Sequence, residues 1–222
     1  MGELIEFVRQ DGQTCPAYAA APADQPDAPG LVVIQEWWGL NEQIKKTGDR
    51  FAAAGFRVLV PDLYRGKLAK DANEANHLMS DLDWAGAVQD IAGALAHLKA
   101  GGKKAGVLGF CMGGALTLIS AANVPATDAA VCFYGIPPAE AADPKTIGIP
   151  LMCHFATHDD WCNAEAVDGL EAALKAGGAP FELFRYPDTK HAFFNEARPE
   201  VFVKAAADLA FERSVGFLKA AL

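Results

Sequence analysis

The chain predicts a mainly parallel α/β sheet with helices on both faces. From Leu31 to the C-terminus, short β-rich apolar runs alternate with longer Ala- and Leu-rich segments, the pattern of repeated strand–helix–strand units. Leu31–Gln35 is continuously apolar up to its last residue, as a strand covered on both faces requires. The 222 residues are 51% hydrophobic, enough to bury one substantial core, so one domain spanning residues 1–222 is expected.

Leu4–Arg9 and Thr14–Ala20 read as a leading hairpin, and the Pro-, Asp- and Ala-rich Ala23–Gly30 as a surface loop entering the Leu31–Gln35 strand. Glu42–Ala54 is a helix closed by Gly55, and Phe56–Val60 is a strand stopped by Pro61. Leu78, Leu82, Val88, Ile91, Leu95 and Leu98 recur at helical spacing, which predicts one helix over Asn76–Ala100, ended by Gly101 and Gly102. Ala105–Phe110 is a strand that runs through Cys111-Met112-Gly113-Gly114 into a helix at Ala115–Ala122. The remaining strands are Ala129–Tyr134, Pro150–Phe155 and Phe181–Tyr186. Between the last two lies a helix at Ala164–Ala176, and a final helix runs from about Glu200 to Leu222.

A formal net charge of −9 disfavours nucleic acid and anionic membrane as partners, because repulsion opposes the encounter. Glu3, Glu6, Arg9 and Asp11 interrupt the first twenty residues, and no apolar run approaches the ~20 residues of a membrane span, so a cytoplasmic protein is expected. Five cysteines, at 15, 111, 132, 153 and 162, are an odd number in a chain that needs no disulfide framework. Cys153, His154, His158 and Cys162 include zinc-competent side chains. Cys153 and His154, however, are neighbours on a strand and point to opposite faces, so no metal site is expected.

Gly109-Phe110-Cys111-Met112-Gly113 has the GxSxG form with cysteine at the nucleophile, in the strand–turn–helix setting that the motif needs. The glycines allow a strained turn pressed between strand and helix. The helix N-terminus favours a thiolate at Cys111, and the Met112 backbone N–H is positioned to receive an oxyanion. Such a fold needs nucleophile, acid and base in that chain order. Asp159 follows the Pro150–Phe155 strand, with Asp160 as the competing acid, and His191 follows the Phe181–Tyr186 strand. His191 would accept the thiol proton and the acid would fix its tautomer. Ser120 is no rival nucleophile, since it lies inside the helix after the elbow. A thiol-based redox sensor, or a silent binder on the same fold, is the alternative, because an activated cysteine also oxidises readily.

Gln35-Glu36-Trp37-Trp38-Gly39-Leu40-Asn41, Pro61-Asp62-Leu63-Tyr64, the Gly109–Gly114 elbow, Asp159 and Lys190-His191-Ala192-Phe193 together resemble the dienelactone hydrolase (carboxymethylenebutenolidase) family, in register from about Leu31 onward. The resemblance implies an α/β hydrolase fold and a small ester or lactone as substrate. It also implies a Cys111–His191–Asp159 triad that works without metal or cofactor, in a monomer or small homo-oligomer. By the same matching, Glu36 contacts the resting thiol and assists its activation. Trp37 supplies the second oxyanion N–H, and Trp38, Tyr134 and Phe193 line the substrate pocket. A solvated loop acid is the second reading of Glu36, and core packing is a nearly equal alternative for Tyr134. The family's two carboxylate-binding arginines have no counterpart in Ala72–Asn76 or in Phe193-Phe194-Asn195, and the next arginine is Arg198. A neutral or differently held substrate is therefore expected, in a pocket made apolar by Trp37, Trp38 and Phe194.

Overall fold

The computed structural model describes residues 2–222. Eight strands form one sheet: β1 (Glu3–Val8), β2 (Thr14–Ala20), β3 (Gly30–Ile34), β4 (Arg57–Pro61), β5 (Ala105–Phe110), β6 (Ala130–Phe133), β7 (Leu151–His158) and β8 (Phe181–Lys190). Their spatial order is β1-β2-β4-β3-β5-β6-β7-β8. The leading hairpin is antiparallel, as its short connection requires, and β2 joins β4 antiparallel; from β4 to β8 every pairing is parallel. This is the α/β hydrolase architecture.

Helices α1 (Glu42–Ala53) and α6 (Lys204–Ala221) cover one face, whereas α3 (Trp84–Leu98), α4 (Met112–Asn123) and α5 (Ala164–Gly177) cover the other. Strand alternation sorts the core between them. Leu31 and Val33 join the α1/α6 layer, and Val32 and Ile34 the α3/α4 layer. On β6, Val131 and Phe133 face α6, while Ala130 and Cys132 face α5. Cys153 and His154 likewise part to opposite faces, the first into the α5 layer and the second against α6.

The expected helix over Asn76–Ala100 is two helices, α2 (Ala72–Ser80) and α3, set apart at Asp81–Asp83. An aspartate fixes the start of each helix. The Asp71 carboxylate accepts the Glu74 N–H at the start of α2, and that of Asp83 accepts the Gly86 N–H at the start of α3. Hydrophobic spacing runs through both helices and hides the caps. The last helix begins at Lys204 rather than Glu200, because Val203 is extended and gives its N–H to the Phe193 carbonyl. None of the helices is long and apolar enough to cross a membrane, among the described residues.

A buried polar tie fixes α6 to the sheet. Ser214 Oγ donates to the Ala210 carbonyl, so His154 Nε2 is the donor to Ser214 at 3.0 Å, and its Nδ1 accepts from Tyr186 Oη at 2.8 Å. Burial first, and then the Arg213 charge, lower the His154 pKa to about 3. Above the ordinary histidine value the ring is neutral in both the folded and the unfolded chain. As pH falls from there toward 3, the unfolded chain gains a proton that the fold refuses, and stability is lost. Between pH 7 and pH 4.5 the Tm of wild type should therefore fall more steeply than that of His154→Phe, even though the variant starts lower; parallel slopes would reject this account.

Candidate active site

The C-terminal ends of β3, β5, β6, β7 and β8 converge on one edge of the parallel sheet, where open α/β sheets place their ligand crevices. A cavity of about 550 Å³ opens there, and Glu36, Cys111, Tyr134 and His191 all line it.

Cys111 links β5 to α4 with φ 56° and ψ −116°, outside the regions that L-residues favour. The close packing around it accounts for the glycines. A Cβ at Gly113 would lie 2.6 Å from the carbonyl oxygens of Ile34 and Gln35, and one at Gly109 would overlap the Gly113 carbonyl. Strain recurs around the cavity, where Tyr134 (φ 36°) and Ala192 (φ 65°) are also left-handed. Cys111 itself is half-buried on the cavity wall. Neither the Trp37 nor the Met112 backbone N–H donates to a loop carbonyl among the described residues. Met112 is held by its side chain, whose sulfur accepts from Tyr64 Oη at 3.3 Å.

His191 Nδ1 lies 2.8 Å from Asp159 Oδ2. The other oxygen, Asp159 Oδ1, accepts the backbone N–H groups of Trp161 at 2.8 Å and Cys162 at 2.9 Å. Burial resists the charge on Asp159, but the His191 hydrogen bond and these two amides hold its pKa below the usual carboxylate value. Burial also opposes charge on His191; the hydrogen bond to Asp159 and the neighbouring Cys111 and Asp159 acids outweigh it and raise the pKa to about 10. The remaining ring nitrogen, Nε2, is buried without a hydrogen-bond partner. Asp160, the competing acid, is exposed on the cavity rim.

Glu36 is buried rather than solvated, with Oε1 at 3.1 Å from Tyr134 Oη and Oε2 at 2.6 Å from Asn195 Nδ2. Burial raises its pKa, against the pull of Asn195, His191, Tyr134 and Arg198. Asn195 was invisible in the sequence, because a turn asparagine four residues past a histidine carries no signal of its own.

Three expected pocket residues are placed elsewhere. Trp38 packs edge-to-face on Trp37, 5.4 Å between ring centroids, and does not line the cavity that Trp37 borders. Phe193 and Phe194 are fully buried in the core. The left-handed turn at Ala192 points Phe193 inward, against Tyr134 and Tyr186, and leaves Ala192 on the cavity surface. The apolar lining comes instead from Trp37, Met79, Trp84, Ile136 and Val201, with Trp161 edge-on to Trp37 at 6.1 Å. Arg198 and Lys190 also line the cavity, so the pocket is not wholly apolar.

The sequence model of the "Dienelactone hydrolase family" matches residues 15–222. The chain belongs to this family. Protein usf of Aquifex pyrophilus is 34% identical over 99% of this chain and 98% of its own length. A protein of Aquifex aeolicus (strain VF5), provisionally named a carboxymethylenebutenolidase, is 30% identical over 99% and 98%. Among solved structures, a provisionally named dienelactone hydrolase from Klebsiella pneumoniae subsp. pneumoniae MGH 78578 superposes with a TM-score of 0.88 at 24% identity, covering 98% of this chain and 97% of its own. The dienelactone hydrolase-like promiscuous phosphotriesterase P91, from metagenomic libraries, superposes at 0.83 with 19% identity over 100% and 98%. This member of the dienelactone hydrolase family is a carboxylic ester hydrolase. Asp159→Asn should lower its kcat/KM for a small ester by about 10² to 10⁴, since the amide favours the wrong His191 tautomer. Asp160→Asn, at an exposed position without the His191 contact, should change it by less than about threefold. Equal losses in the two variants would reject Asp159 as the partner.

Proposed function

We propose that Cys111 is the nucleophile of this ester hydrolase and that a Cys111–His191–Asp159 triad cleaves a small ester or lactone through an acyl-enzyme. The observation that carries the reading is the His191 ring. Its Nδ1 is tied to Asp159, its Nε2 is buried without a partner, and Cys111 is one of the two acids acting on it. Nε2 takes the thiol proton, and the thiolate attacks the ester carbonyl. The negative charge that develops on oxygen meets the backbone N–H groups of Trp37 and Met112 at the start of α4. Collapse breaks the carbonyl–oxygen bond, and His191 passes its proton to the departing alkoxide. A water, deprotonated by His191, then attacks the thioester; the acid leaves and Cys111 is returned as the thiol. Arg198 gives the cavity a guanidinium able to hold an anionic part of the substrate, so a substrate carrying a charged group fits as well as a neutral one.

The test is mass spectrometry of enzyme quenched during turnover of a p-nitrophenyl ester. Wild type should carry one acyl group, mapped to the Cys111 peptide, and the adduct should be absent from Cys111→Ser digests at that position as a thioester. An acyl group on another residue rejects the reading. One observation favours a second reading: Cys162 lines the same cavity as Cys111. A redox sensor built on this pair would give a Cys111–Cys162 disulfide on mild peroxide treatment and no turnover of any ester.

A further inference from the structure

The two oxygens of Glu36 are held by partners of different chemical kinds. Asn195 meets Oε2 with its amide nitrogen, while its own Oδ1 accepts the Ala197 N–H at 3.0 Å. That second bond fixes which way round the amide lies. An amide NH₂ can only donate, so Oε2 must remain an acceptor in every state of Glu36. Tyr134 Oη can donate or accept, and it faces Oε1. A proton arriving on Glu36 can therefore reside only on Oε1, from which the new O–H points at the Tyr134 oxygen; when it leaves, Tyr134 turns its own O–H back.

Asn195 is also a junction between segments. Its N–H donates to the Ala192 carbonyl at 2.9 Å, next to His191, and its carbonyl accepts the Arg198 N–H at 3.0 Å. Glu36, at the end of β3, is thus bonded to the turn that carries the imidazole and to the segment that carries the cavity's arginine.

We infer that Asn195 is a positioning residue of this hydrolase, which holds Glu36 so that Oε1, on the Tyr134 side, is the only oxygen that exchanges a proton with the cavity. The inference rests on the reading in which Cys111 is the nucleophile, for then a proton leaves Sγ as substrate arrives and must be held by the cavity's bases. The groups that set the charge of Glu36 lie on several elements: His191 and Arg198 favour its ionised form, Tyr134 and Cys111 are the neighbouring acids, and Lys190, His158 and Asp160 stand on the rim. Without the Asn195 donor the carboxylate is less stable as an anion, and it is free to rotate and take the proton on either oxygen.

The experiment is the pH dependence of kcat/KM for a small ester, together with the pH dependence of Cys111 alkylation by iodoacetamide. Both are measured for wild type, Asn195→Ala, Glu36→Gln and the double variant. In Asn195→Ala the acid limb of both profiles should move up by about one pH unit, the size of one hydrogen bond to a charged group. In the Glu36→Gln background, Asn195→Ala should leave the profiles where they are, an outcome that a merely structural role would not produce. If Asn195→Ala does not fold, Asn195→Asp keeps the shape and sets a carboxyl against Oε2, and it should move the acid limb up further. An unmoved limb, or the same shift with Glu36→Gln present, overturns the inference. Turnover that survives Cys111→Ala overturns the cysteine reading and this inference with it, whereas a silent Cys111→Ala with unshifted profiles overturns this inference alone.

Discussion

Cys111→Ala should lose about 10⁴-fold or more in kcat/KM for a small ester while keeping its Tm within about 3 °C of wild type. The two halves of this result have separate causes. The side chain is half-buried in a cavity wall and makes no capping hydrogen bond to α4, so a methyl group in its place leaves no buried polar atom unpaired. The φ of 56° is a burden on alanine and cysteine alike, so backbone strain does not change. On the proposed mechanism, what disappears is the sulfur that would form the acyl-enzyme, and without it the oxyanion donors and cavity would retain only a residual acceleration. His191→Ala should lose a similar factor, and the double variant little more, because the two groups act in one step. Kinetics on purified variants with matched thermal melts decide it; a Cys111→Ala enzyme within tenfold of wild type would remove the nucleophile from the scheme.

Gly135→Ala should be among the most damaging single methyl additions near the site. Gly135 follows β6 at the point where the elbow crosses it, and a Cβ there would overlap the Cys111 carbonyl oxygen and the Ala115 backbone nitrogen. Both obstacles are backbone, and the Ala115 N–H bonds the Cys111 carbonyl at 3.0 Å, so neither can yield without opening the first turn of α4. A loss of about 3 kcal/mol or more is expected, on the scale of core overpacking with backbone displacement. It would be read from the urea midpoint or from the soluble yield. Protein that does fold should still lose about 10²-fold in kcat, because shifting α4 by an ångström misplaces Met112 N–H and the sulfur together. Gly169→Ala is the control, for nothing lies within 4 Å of a Cβ there.

The strand sequence, the elbow and the order of acid and base were legible because each is local: a run of apolar residues, a tight turn with small neighbours, a polar side chain just past a strand. Cys111, Asp159 and His191 all come to the same sheet edge for that reason. What the sequence concealed depends on contacts between distant segments. Matching Lys190-His191-Ala192-Phe193 to the family puts Phe193 in the pocket, but the left-handed Ala192 turns the chain so that Phe193 points into the core. Trp37 and Trp38 are adjacent and chemically alike, and only the packing of one on the other decides which faces substrate. Arg198 is the next arginine after His191 in the sequence, but no local rule shows that the turns between His191 and Val203 fold it over the cavity. Asn195 meets Glu36 across 159 positions of sequence, a pairing that no spacing rule reaches.

The break between α2 and α3 places Met79 and Trp84 on either side of a short connection, and both side chains line the cavity. Neither belongs to the strand ends that carry Cys111, Asp159 and His191. Part of the cavity wall is thus carried by a segment separate from the sheet edge: lengthening or shortening the Asp81–Asp83 link should reshape the cavity at Met79 and Trp84 while leaving Cys111, Asp159 and His191 where they are.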